Sequence, residues 1–168
     1  VTSVSSTTSN GAYNAGDTLL ITVTFSENVT VTGTPQLTIE TGTNDAVLNY
    51  LSGSGTATLV FRYIVASGHS SADLAYVSTT ALALTGSNTK IQDNLVNDGV
   101  LTLPEPGANN SLKANKALVI DTEAPTAGTV NDGSGTDVAY SSSSTSLTAN
   151  WTGFSDALSG ISGYEIAI

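Results

Sequence analysis

The chain has no cysteine and no methionine among its 168 residues. Without cysteine, disulfide bonds and thiolate metal sites are excluded. Charged residues make up only 11% of the chain, and no segment has a sustained helical period of apolar residues. Because helices that pack into bundles need such a period, the sequence argues against a helix bundle. A Ser- and Thr-rich chain without Cys or Met suits an exported protein that must resist oxidation.

Basic residues are also scarce: 4 lysines and arginines stand against 14 acidic residues, which gives a net charge of −10. With so few cations there is no basic stripe to neutralise phosphates, so we expect no nucleic-acid partner. No apolar run reaches the length of a membrane span and no signal peptide is recognisable, so we expect no direct membrane insertion. Because Val1 is not a start methionine, we expect the sequence to be part of a longer chain.

The sequence does contain short segments in which apolar and polar residues alternate. Residues 18–26 alternate with a period of two, and so do residues 46–50 and 57–65 on either side of the turn at 52–55. This period is that of a half-buried β-strand, and the last two segments predict a hairpin. Turn signals recur roughly every ten residues. The sequence therefore predicts an all-β protein built on an antiparallel, Greek-key, immunoglobulin-like β-sandwich.

The stretch at residues 119–126 divides the chain. An apolar strand there runs into Asp121 and Glu123 and then into Pro125, which cannot continue the hydrogen-bond ladder of a strand. Many strand-like segments lie before this stretch, and a shorter run lies after it. We predict a β-sandwich over residues 1–121, a linker over residues 122–126, and an incomplete second β-sandwich over residues 127–168.

Five motifs follow one another along residues 1–123. They are Asp17-Thr-Leu-Leu-Ile-Thr-Val-Thr-Phe-Ser-Glu27-Asn28-Val29, Gly33-Thr-Pro-Gln-Leu37, the hairpin from Tyr50 to Tyr63, Asp73-Leu74, and Ile120-Asp-Thr-Glu-Ala-Pro125. In this order they resemble the bacterial immunoglobulin-like repeats of large surface proteins. The resemblance implies a structural or adhesive module of an extracellular repeat protein, on the bacterial cell surface or secreted. Such a module serves as a stalk, spacer or filament segment.

The implied partners are neighbouring modules of the same longer chain. Identical chains, or a host or surface glycan or protein, are the further partners that such a module implies. Two other functions stay open. One is an accessory or carbohydrate-binding module of a secreted polysaccharide-degrading enzyme, and the other is a self-assembling filament subunit completed by strand addition.

Residues 124–168 resemble the first half of a fibronectin type III domain. Ser146-Leu-Thr-Ala-Asn-Trp151 is similar to its second strand, and residues 164–168 are similar to its third. Three strands alone would leave Leu147, Trp151 and Tyr164 without a facing sheet, and apolar surface of that size is seldom left in water. We therefore expect the natural chain to continue past Ile168, with strand addition from a neighbouring chain as the alternative.

Acidic residues near the predicted domain ends are candidate calcium ligands. In cadherins and similar adhesive repeats, carboxylates from loops and linkers bind calcium between modules, and the acidic linker here resembles that arrangement. The candidates are Glu27, Asp73, Asp121, Glu123 and Asp156. The full cadherin run of alternating Asp and Asn is absent, so solvated linker carboxylates stay open as the alternative. The loop at residues 93–99 is a weaker candidate, because Asp, Asn and Gly are also ordinary turn residues.

His69 is the only histidine, which argues against a zinc site and against a Ser-His-acid triad. Its polar surroundings predict a solvated loop side chain, and no Gly-x-Ser-x-Gly elbow is present. A small sandwich also offers no evident cleft for paired catalytic carboxylates, so we expect no enzymatic activity. The aromatic residues on the apolar phase of predicted strands are expected in the core: Phe25, Phe61, Tyr63 and Trp151.

Overall fold

The computed structural model describes residues 1–137, 140, 143 and 145–165. The chain divides into two compact units, Val1–Thr122 and Glu123–Ile168. The described part is nearly all β-structure, and its ladders are antiparallel with one exception. The predicted all-β sandwich class is therefore confirmed.

The first unit contains eleven strands and one short helix. They are β1 (Ser3–Ser6), β2 (Gly11–Tyr13), β3 (Thr18–Thr32), β4 (Gln36–Glu40), β5 (Ala46–Ser52), β6 (Thr56–Ile64), β7 (Ser70–Ser71), β8 (Ala75–Tyr76), β9 (Leu82–Ala83), β10 (Lys90–Gln92), α1 (Leu112–Asn115) and β11 (Leu118–Asp121).

Two sheets enclose the core of this unit. The main sheet has the strand order β1-β3-β6-β5-β4-β8, with β10 added to β3 and β9 added to β4. The second sheet has the order β2-β11-β7, in which β2 and β11 are parallel. Leu118 and Ile120 of β11 are fully buried in the same apolar cluster as the inner face of the main sheet. The second sheet therefore helps to cover that face.

Alternation along β3 and β6 determines which face of the main sheet is buried. The inward residues of the two strands form cross-strand pairs: Leu19 with Tyr63, Ile21 with Phe61, and Val23 with Leu59. None of these side chains is more than 2% exposed. Full burial of a side chain of this size contributes roughly 1.5–3 kcal/mol. The expectation that Phe25, Phe61 and Tyr63 are core residues is confirmed.

Strand β3 continues past residues 18–26, the segment that the alternation of the sequence predicts. The structure has one strand of 15 residues, and its register against β6 shifts between Thr24 and Val29. A bulge of this kind keeps the strand extended while it re-aims the side chains. Glu27 and Asn28 therefore face solvent, and Val29 returns to the core at 3% exposure.

Helix α1 has no counterpart among the sequence predictions, because a single turn is too short to show an apolar period. Its N-cap is Ser111, whose hydroxyl accepts the Ala114 N–H at 3.3 Å. Leu112 is fully buried, and the Asn115 side-chain amide donates to the Val4 carbonyl at 2.8 Å. These contacts attach the helix to the edge strand β1.

The second unit contains the antiparallel pair β12 (Thr129–Asp132) and β13 (Ala149–Thr152). Trp151 on β13 is 42% exposed, so the expectation that it is a core residue was wrong. Two strands form a single layer, and the described residues of this unit supply no second sheet to cover the indole. Tyr164 and Glu165, expected in a third strand, are not in a strand, and residues 166–168 lie outside the described residues.

Burial of the inner face predicts different effects for two identical substitutions in neighbouring strands. Leu59 is fully buried, whereas Leu51 is 47% exposed on the outer face. We expect Leu59→Ala to lower the free energy of unfolding by about 2–5 kcal/mol because it leaves a cavity. Leu51→Ala should change it by no more than about 0.5 kcal/mol. Urea unfolding followed by circular dichroism measures both, and equal losses would contradict the assigned faces.

Candidate functional site

Glu27 lies at the bulge of β3, beside the loop at residues 93–99. Glu27, Asp93 and Asp98 line one cavity of about 170 Å³, which Phe25 also borders. The structure thus places Glu27, a calcium candidate, next to the loop at residues 93–99, which the sequence indicates as a weaker candidate.

Asp93 is the hydrogen-bond acceptor that shapes this loop. Its Oδ1 accepts the N–H groups of Leu95 at 2.7 Å and Asn97 at 2.8 Å, and its Oδ2 accepts the Asn97 side-chain amide at 2.7 Å. These bonds favour the ionised carboxylate and hold the pKa of Asp93 below its ordinary value, with the Asn97 side chain as the largest cause. Both carboxylate oxygens are therefore used within the turn, in agreement with the turn interpretation of this loop.

Asp73 and Asp121 lie on the side of the first unit formed by β7 and β11. Asp121 is opposite Ser70 in the β7–β11 ladder and is only 7% exposed. Asp73 comes shortly after β7, and its Oδ1 is buried without a hydrogen-bond partner among the described residues. A buried acceptor without a donor is destabilising. Asp73 is thus a calcium candidate with a buried oxygen that the described residues leave unsatisfied.

Glu123 and Asp156 belong to the second unit. Glu123 is the first residue of this unit and is exposed. The Asp156 Oδ1 accepts the N–H groups of Leu158, Ser159 and Gly160 at 3.3, 2.9 and 2.8 Å, so it anchors the turn that follows it. Across the described part of the chain, no group of three or more acidic or histidine side chains is arranged to hold a metal ion. Calcium at the candidate residues stays a prediction.

His69 is not the solvated loop side chain that the sequence predicts. Its ring stacks on Tyr63, with centroids 5.7 Å apart, and its Nδ1 accepts the Ala66 N–H at 3.2 Å. Nδ1 therefore carries no proton, and the Tyr63 hydroxyl donates to it at 2.9 Å. Burial raises the pKa of that hydroxyl, so it keeps the proton that it donates. The correction has a tertiary cause, since only the folded chain brings the loop back over β6.

A second cavity, of about 370 Å³, opens between β5 and β6. Residues 46–51 and 62–64 line it together with His69. Asn49 and Arg62 form a cross-strand pair at its border. Sequence alternation could identify Arg62 as an outward residue of β6, but it carries no signal that His69 lies at the same place.

Comparisons of the chain with protein-family models, with curated proteins and with solved structures find no match. The resemblance to bacterial immunoglobulin-like repeats thus stays a prediction that rests on the motifs. Among the described residues, no helix has the length and apolar character needed to cross a membrane.

Removal of the Asn97 side chain should raise the pKa of Asp93 towards the ordinary value of about 3.9. The folded-state pKa is depressed, so the ionised carboxylate stabilises the fold above the unfolded-state pKa. That stability is lost as the pH falls through the folded-state pKa. We therefore expect Asn97→Ala to lose less stability on acidification than the wild type. Carbon-detected NMR titration of the Asp93 carboxyl measures the pKa directly.

Asn94→Ala is the matched control, because Asn94 is an exposed residue of the same loop. It should leave the Asp93 titration unchanged. An unchanged Asp93 pKa in Asn97→Ala would contradict the assigned cause.

Proposed function

We propose that this chain is a structural module of a bacterial extracellular repeat protein, a segment of a stalk or filament. The observation that supports the proposal is the placement of the two ends of the first unit. At one end, Thr2 donates its N–H to the Thr24 carbonyl at 2.8 Å. At the other, the Thr122 hydroxyl donates to the His69 carbonyl and accepts the Gly68 N–H, both at 3.0 Å.

The two ends are separated along β3. The loop that holds Thr122 follows β6. Directly after β6, the Val65 N–H donates to the carbonyl of Asp17, the residue before β3, at 2.9 Å. From Thr18 to Thr24, an extended strand spans about 20 Å at roughly 3.3 Å per residue. A module that the chain enters at one end and leaves at the other adds length to an array. Its partners in this role are the neighbouring modules of the same chain.

Strand directions also suit such a role. A pull on the two ends of the unit acts along β1, which is paired with β3, and along β11, which is paired with β2 and β7. Because the force acts along the direction of these strands, the hydrogen bonds between paired strands must break together rather than one after another. The spacer is thus loaded in its more resistant direction.

Single-molecule pulling tests the proposal, and the absence of native cysteine allows attachment at any chosen pair of positions. We expect a higher unfolding force through Val1→Cys and Glu123→Cys than through Asp45→Cys and Ser67→Cys. The second pair lies at the open ends of the β5–β6 hairpin, so the pull separates that ladder one pair at a time.

Both attachment pairs are tested in otherwise identical chains, so each is the control for the other. An equal or lower force through the ends of the unit would contradict the load-bearing role. The outcome does not depend on any ligand.

Calcium stiffening of the joint is part of the proposal. The joint itself supplies only Asp121, Thr122 and Glu123, whereas calcium takes six to eight oxygens, so other loops must complete the site. Calcium at millimolar concentration should raise the thermal midpoint, and a chelator should reverse the rise, because a ligand of the folded state stabilises it by mass action. Asp121→Asn combined with Glu123→Gln should abolish the rise. An unchanged midpoint in the wild type would remove calcium from the proposal.

A second candidate function is favoured by the second unit. The rings of Trp151 and Tyr164 are 42% and 50% exposed and lie 5.4 Å apart. Exposed aromatic rings stack on sugars, as in an accessory carbohydrate-binding module of a polysaccharide-degrading enzyme. Strands that complete this unit would instead bury both rings, as the resemblance to half of a fibronectin type III domain implies.

A further inference from the structure

We propose that the cavity between β5 and β6 binds an acidic sugar, a uronic acid residue of a polysaccharide, through Arg62. The cavity exists because the hairpin opens. The β5–β6 ladder starts at Asn49 and Arg62 and runs towards the turn. On the other side of that pair, β5 continues along β4 and β6 continues along β3, so the two strands separate. The resulting volume of about 370 Å³ is of the size that holds a small ligand.

The cavity differs in charge from the rest of the molecule. The chain carries 14 acidic residues, yet none of them lines this cavity. Arg62, the only arginine, lies at its border, and its guanidinium forms no ion pair with the other described residues. A planar guanidinium binds a carboxylate through two parallel hydrogen bonds, which is the geometry that selects a carboxylate over other anions.

The other polar side chains of the cavity present donors. The Asn49 Oδ1 already accepts the Gln36 side-chain amide at 2.9 Å, which leaves the Asn49 N–H groups to donate. In His69 the Nδ1 accepts the Ala66 N–H, so Nε2 is the ring nitrogen that carries a hydrogen. Such a set of donors fits a ligand rich in oxygen acceptors and does not fit a metal cation.

Apolar side chains border the same cavity. Val47, Leu51 and Ile64 are 55%, 47% and 53% exposed. A pyranose ring offers C–H groups to such a surface, ring and hydroxyl oxygens to the donors, and in a uronic acid a carboxylate to Arg62. An acidic amino-acid side chain has the carboxylate but neither the ring nor the hydroxyls. The combined chemistry therefore favours an acidic sugar over an acidic peptide.

The test is an NMR titration of the full ¹⁵N-labelled chain with D-glucuronate and, as the neutral match, D-glucose. We expect glucuronate to shift the amide signals of residues 46–51 and 62–64 with a dissociation constant of about 1 mM. Glucose should leave those signals in place. Arg62→Gln should weaken glucuronate binding about tenfold or more, and Arg62→Lys, which keeps the charge without the planar fork, should fall between Arg62→Gln and the wild type.

Lys113→Gln is the matched control, because it makes the same change of net charge at an exposed residue of α1. It should bind glucuronate like the wild type. Equal weakening in Lys113→Gln, or equal binding of glucose, would overturn the proposal. Binding of L-glutamate as strong as that of glucuronate would overturn the assignment to a sugar. These outcomes do not depend on the spacer role, since pulling measures an unfolding force and the titration measures the binding of a small molecule.

Discussion

The pairing of β3 with β6 is the interaction on which the rest of the first unit depends. Its inward side chains form an apolar row that is buried from Leu19 to Val23 and from Leu59 to Tyr63, and burial of that row stabilises the unit. Three strands pair with it directly, β1 and β10 with β3 and β5 with β6, and β4 extends the sheet from β5. The second sheet and α1 then cover the inner face, as the full burial of Leu112, Leu118 and Ile120 shows.

The same pair also explains why a cavity is present. Since β6 remains with β3 and β5 remains with β4, the hairpin that joins the two halves of the main sheet cannot stay paired along its whole length. The loop after β6 returns over the opening and is held there by the bonds from Tyr63 and Ala66 to His69. The same loop bonds to Thr122 at the end of the unit through the Gly68 N–H and the His69 carbonyl. The same loop therefore borders the cavity and holds the end of the first unit.

The acidity of the chain has a local explanation at several positions. Carboxylates in a chain with so few cations cannot be neutralised mainly by ion pairs, and turns offer them N–H groups instead. Among the described residues, five of them accept backbone N–H groups from residues near them in sequence: Asp17, Glu40, Asp93, Asp137 and Asp156. At these positions the negative charge shapes the turns between short strands. Asp73 differs from these five, because its Oδ1 is buried and accepts no hydrogen bond from the described residues.

The sequence by itself determined the all-β class, the hairpin of β5 and β6 and most of the core, because a period of two states directly which residues face inward. It could not show the continuity of β3 through Glu27, since a bulge depends on the partner strand, nor the one-turn helix, which is too short for a period. It misplaced Trp151 because strand phase says which face a residue takes, and only the presence of a second sheet decides whether that face is covered. The surroundings of His69 and Arg62 were likewise decided by tertiary structure, because the contacts of both depend on where distant strands separate and where a loop returns.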